Sequence, residues 1–140
     1  MVNVIQSQAP LTREAVLDAI ALAAALLFAH GQTTERTIVA TARLGRALGV
    51  PVTALPYWGQ LTVEIDGTTL SKIVPAKPLG VDMGKVLAVT TVVDQACDGK
   101  LEPRAVRSAL ASAGRLPPVS TLRSRCWRPS AQRRSASFSA

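Results

Sequence analysis

Apolar positions recur at helical spacing from near the start of the chain. Val16, Leu17, Ile20, Ala24, Leu27 and Phe28 share one face of a helix predicted over Thr12 to Ala29. Thr12 is placed to cap its first turn and Gly31 to follow its last. A second helix begins almost at once. Thr33 or Thr34 can cap it, Ile38, Ala42, Gly45 and Leu48 form its predicted stripe, and Gly49 with Pro51 ends it. So short a connection predicts two antiparallel helices side by side.

After Pro51 the period changes. Val52 to Tyr57, Gln60 to Ile65 and Thr69 to Val74 read as three short strands. Leu61, Val63 and Ile65 alternate with Thr62 and Glu64, the pattern of a strand with one buried face. Trp58-Gly59 marks the first turn. Asp66-Gly67 signals a tight primed hairpin turn, since glycine accepts the positive φ that such a turn needs. Pro75 and Pro78 stop the sheet. Asp82 can cap a third helix over Met83 to Asp98, with Val86, Val89, Val93 and Ala96 or Cys97 inward and Gly99 after it. Pro103 suits the first turn of a fourth, Arg104 to Ala113, facing inward with Val106, Leu110 and Ala113. The order ααβββαα predicts an α+β fold, a small antiparallel sheet packed with four helices.

The first helix raises the question of a membrane span, which needs about 20 predominantly apolar residues. Arg13, Glu14 and Asp18 occupy its first third, so it reads as a core helix. Composition changes the picture little: 140 residues with 48% hydrophobic and only 4% aromatic content suit one domain cored by Ala, Val, Leu and Ile. Residues 1–10 are polar with no basic run, so they read as a flexible N-terminus and not a targeting peptide. The net charge of +7 is concentrated at the other end. Five arginines and no acid lie between Val119 and Ala140, which leaves +2 for residues 1–118. That Arg/Ser-rich segment lacks any period and reads as a disordered tail, with residues 11–118 as the domain. A nucleic-acid interface would carry its charge on the folded surface, so nucleic acid is not the expected partner. Cys97 sits in an apolar helix as a small hydrophobe and Cys126 in the tail, a setting that gives little reason for a disulfide.

No catalytic set stands out. Gly80-Val81-Asp82-Met83-Gly84-Lys85 has three residues between its glycines where a phosphate loop has four, and Val86 follows the lysine where Ser or Thr is needed. It reads as a loop feeding a capped helix. His30 is the sole histidine, no cysteine pair has metal-ligand spacing, and there is no Gly-x-Ser-x-Gly elbow. Neither a metal nor a cofactor is expected, and the chain does not read as an enzyme. At a helix C-terminus, His30 reads as a complement to the macrodipole. The remaining candidate polar site is Thr34, Glu35 and Arg36 at the start of the second helix with Asp82 and Lys85 at the start of the third. Capping explains most of these residues. Arg36 is the exception, because a cation in a first turn opposes the dipole and calls for a partner, internal or bound.

From Leu26 to about Pro118 the chain resembles the N-terminal domain of the bacterial threonine/serine exporter family. The resemblance rests on Leu27-Phe28-Ala29-His30-Gly31 leading into Thr34-Glu35-Arg36, on Leu44 to Val50, on Leu55 to Gln60, and on Pro78 to Lys85. Where many members have glutamate this chain has Ile38, and where many have asparagine it has Asp82. The resemblance implies a domain on the cytoplasmic side of the inner membrane, serving a transmembrane exporter part in a regulatory or assembly role. Homo-oligomers are a further expectation. In the family a membrane helix would start near Leu122, where this chain reads Arg123 to Pro129. Back-translation with GC-rich codons and one base restored turns that stretch apolar, so a frameshift is the expected origin of the tail. A small-ligand or partner-binding module is the alternative function, and nucleic-acid binding through the tail a lesser one.

Overall fold

The computed structural model describes residues 11–117; the expectations for residues 1–10, for the tail and for Cys126 fall outside the described residues. The elements are α1 (Arg13–Ala29), α2 (Thr34–Ala47), β1 (Val52–Tyr57), β2 (Gln60–Ile65), β3 (Ser71–Pro75), α3 (Met83–Cys97) and α4 (Pro103–Gly114). The α+β order expected from the sequence is the order observed.

Helix α1 organises the core. The Thr12 hydroxyl accepts from the Ala15 N–H at 3.2 Å and fixes its start. Ile20, Ala21 and Ala24 are completely buried, and Ala19, Ala23 and Leu27 nearly so. Burial on several sides follows from the alanines, whose small side chains let neighbouring backbones come close. α1 accordingly packs against every other element except β1. The sheet runs β1-β2-β3, all antiparallel, with Val52 opposite Ile65, Ala54 opposite Val63 and Leu61 opposite Val74. Val52, Ala54, Leu61, Val63 and Ile65 are buried, as alternation predicts, but Thr62, expected on the exposed face, is buried too. Burying such aliphatic side chains stabilises the fold by roughly 1.5–3 kcal/mol each relative to exposure.

Three expectations are corrected. The buried face of α2 is Thr37, Thr41, Leu44 and Gly45; Ile38, Ala42 and Leu48 are only half-buried. The polar threonines can turn inward because each hydroxyl donates one turn back, Thr37 Oγ1 to Thr33 O at 2.9 Å and Thr41 Oγ1 to Thr37 O at 2.7 Å. A satisfied hydroxyl leaves the γ-methyl to face the core. The β2–β3 connection is also not a two-residue primed turn. Gly67 has φ 75° but no non-glycine residue among those described has positive φ, whereas a type I′ turn needs it at both central positions. Instead the Thr68 N–H donates to Ile65 O, and the Thr68 hydroxyl accepts from the Leu70 N–H at 3.2 Å. That hydroxyl anchorage delays β3, which starts at Ser71 and not at Thr69.

Gly45 marks the closest approach of helix to sheet. A Cβ there would lie 2.7 Å from the Val50 carbonyl oxygen and 2.8 Å from Val52 Cγ2. Only glycine lets the chain leave α2 and return along it as β1.

Candidate functional site

One end of the molecule gathers four helix termini. The Leu79 N–H donates to Ala29 O at 2.9 Å and the Asp82 N–H to His30 O at 3.0 Å, which ties the loop before α3 to the end of α1. The start of α2 follows α1 within a few residues, and α4 ends beside the start of α3, where Gly84, Leu87, Ala113 and Leu116 share a shallow groove. Here Leu79, Val81, Met83 and Leu87 all expose more than half of their surface, and Leu116 two-fifths.

Two clefts open at this end. The first, of about 620 Å³, runs along residues 79–85 and is backed by His30. The Asp82 carboxylate caps α3 by accepting from the Lys85 N–H at 3.2 Å, so the glycine-bearing segment is a loop feeding a capped helix, as expected. The Lys85 ammonium stands 4.0 Å from the other Asp82 oxygen, beyond hydrogen-bond reach. Both side chains are largely shielded, at 18% and 15% exposure. The second cleft, of about 630 Å³, lies between α2 and α3 and is lined by Gln32, Thr33, Glu35, Arg36, Arg43 and Thr90, among others.

The sequence-derived candidates are therefore divided. Glu35 and Arg36 line the second cleft, Asp82 and Lys85 the first, and Thr34 lines neither. Thr33 and not Thr34 is the cap of α2, its hydroxyl accepting from the Arg36 N–H at 3.3 Å. The Arg36 guanidinium is exposed and has no partner among the described residues. Its neighbour Arg43 differs, bound to Asp94 at 3.0 Å.

His30 is the residue that helix-end reasoning undervalued. It is 7% exposed, yet its ring has no hydrogen-bond partner among the described residues. No fully enclosed side-chain nitrogen or oxygen there lacks a partner, so its ring nitrogens must reach solvent. The signal was present in the pattern: His30 follows Leu27 by three and Ala23 by seven, on the buried face of α1.

Residues 18–122 match the sequence profile of the threonine/serine exporter family, ThrE. The chain belongs to this family. The match covers about three-quarters of it and every described element beyond the first turn of α1. No curated protein matches the chain significantly, and neither does any solved structure. No helix among the described residues of this exporter-family chain is long and apolar enough to cross a membrane. Nor do those residues bring three His, Cys, Asp or Glu side chains together as a metal site would.

Proposed function

We propose that this chain is the N-terminal domain of a threonine/serine exporter, placed on the cytoplasmic side of the membrane, where it regulates or helps assemble the membrane-spanning part. One observation carries this reading. Exporter-family sequence is folded here into a domain whose α4 ends on a face of exposed Leu79, Val81, Met83, Leu87 and Leu116. Apolar side chains clustered where the chain would continue toward a membrane part suit a contact with that part. In this reading the domain transports nothing alone. It acts by binding and not by catalysis.

Threonine efflux from cells lacking their own exporter tests the proposal. The chain alone is expected to give no efflux above an empty vector. Supplied beside the membrane-spanning part of a family member on a separate chain, it is expected to co-purify with that part and change its efflux. Efflux from the chain alone, or failure to co-purify, overturns the reading.

A further inference from the structure

The cleft that His30 backs carries an inference that deepens, and rests on, the exporter reading. We propose that it binds a free zwitterionic α-amino acid, so that the domain senses a small solute of the kind its membrane partner handles. Residues that line the cleft carry four groups with hydrogen-bonding capacity to spare. The first is the His30 ring, over nine-tenths buried and without a partner among the described residues. The second is the Asp82 carboxylate, one oxygen of which accepts from Lys85 N–H while the other has no donor within hydrogen-bond distance. The third is the Lys85 ammonium, 4.0 Å from that free oxygen and donating to no acceptor. The fourth is the pair of Met83 and Gly84 N–H groups in the first turn of α3, which no described acceptor takes.

This set selects by charge. A lone anion would meet the Asp82 carboxylate and a lone cation the Lys85 ammonium, each repelled at short range in a shielded site. A zwitterion answers both. Its ammonium reaches the free Asp82 oxygen, and its carboxylate reaches Lys85 with the Met83 and Gly84 amides. A hydroxyl on the ligand side chain would give the His30 ring a partner. The volume of about 620 Å³ is within the range of ligand clefts, and Leu79 and Val81 supply an apolar wall.

The test is an amide-resolved NMR titration of the full chain with L-serine and L-threonine, with acetate and ethanolamine as single-charge controls. Saturable shifts are expected at Met83, Gly84 and Lys85 with the amino acids and not with either control. Asp82→Asn keeps a good helix cap, and Lys85→Met keeps the aliphatic stem, so both should fold. Each is expected to weaken binding at least about tenfold, the effect of losing one charge-assisted hydrogen bond. Arg36→Ala, in the neighbouring cleft, is expected to leave it unchanged. Absence of shifts, equal shifts with acetate or ethanolamine, or undiminished binding by the Asp82 and Lys85 variants overturns the proposal. Efflux and co-purification report separately on the exporter reading, which would survive that failure.

Discussion

The two ends of the domain treat their charged groups in opposite ways. At the end where α1 and α4 begin, the Asp18 carboxylate holds Lys72 from β3 on one oxygen and Arg107 from α4, at 3.3 Å, on the other. Three elements are tied together at one acid. Elsewhere in the packed body Arg43 pairs with Asp94, the Cys97 thiol points to the Arg43 carbonyl, and Gly45 lets β1 lie directly against α2. At the other end, the side chains of Arg36, Lys85 and His30 have no hydrogen-bond partner among the described residues, and three aliphatic side chains, Leu79, Val81 and Leu87, are largely exposed together with Met83. The difference separates what holds the fold from what is left for the proposed contact. Partners satisfied within the chain fix the fold, and capacity left open is available to something outside it.

The largest expected effect comes from breaking the packed body at its tightest contact. Gly45→Ala gains about 1 kcal/mol of helix propensity. Against that, the new methyl would press on a backbone oxygen and on Val52, neither able to withdraw, and overpacking of this kind costs about 3 kcal/mol. A net loss of about 2 kcal/mol is expected, read as a lower urea midpoint at unchanged slope. An unshifted midpoint would mean that the close approach of α2 and β1 is slack.

Asp18→Asn comes next. The hydrogen bond from Lys72, with its charge and that of Arg107, holds the Asp18 carboxyl below the usual carboxylate range, against the opposing effect of burial. A depressed native pKa adds stability above the unfolded value, and this stability disappears as pH falls through the native one. The network is about one-third exposed at Asp18, so its contribution is about 1 kcal/mol. The wild-type advantage over Asp18→Asn should therefore be constant near neutrality and vanish in acid below about pH 4. An advantage that persists at pH 2 would assign it to packing instead of charge.

How much of this was legible beforehand depends on what set each feature. Caps and strands could be read directly: Thr12, Asp82 and the Leu61–Val63–Ile65 alternation act through neighbours in sequence. The buried face of α2 was misplaced by one position because a hydropathy pattern scores threonine as polar. Thr37 and Thr41 hide their hydroxyls in their own helix, and only the packed structure reveals it. The candidate site was half legible. Arg36 and Asp82 were marked by their helix positions, but the separation of α2 and α3 starts into different clefts is tertiary. So is the position of His30, which lines one cleft together with residues 79–85. A smaller test follows from the threonines. Thr41→Val keeps the shape and leaves no donor stranded, so a change below about 1 kcal/mol is expected in thermal unfolding. A loss well above that would mean the hydroxyl does more than satisfy itself.

The smallest expected effect on stability sharpens the comparison most. Leu79→Ser and Leu87→Ser remove side chains that are 73% and 67% exposed, away from the core contacts of α1 and the sheet. Substitutions at such surface positions change stability by no more than about 0.5 kcal/mol, and removing exposed apolar area carries no penalty of its own in water. If this end exists only to close the fold, nothing further should change. If it meets a membrane partner, the same two variants should fold as the wild type does and yet lose co-purification with the membrane-spanning part. Retained co-purification would take Leu79 and Leu87 out of the contact. A marked loss of stability would instead show that the open end is held together by the side chains it exposes, and the contrast with the Asp18 end would fail.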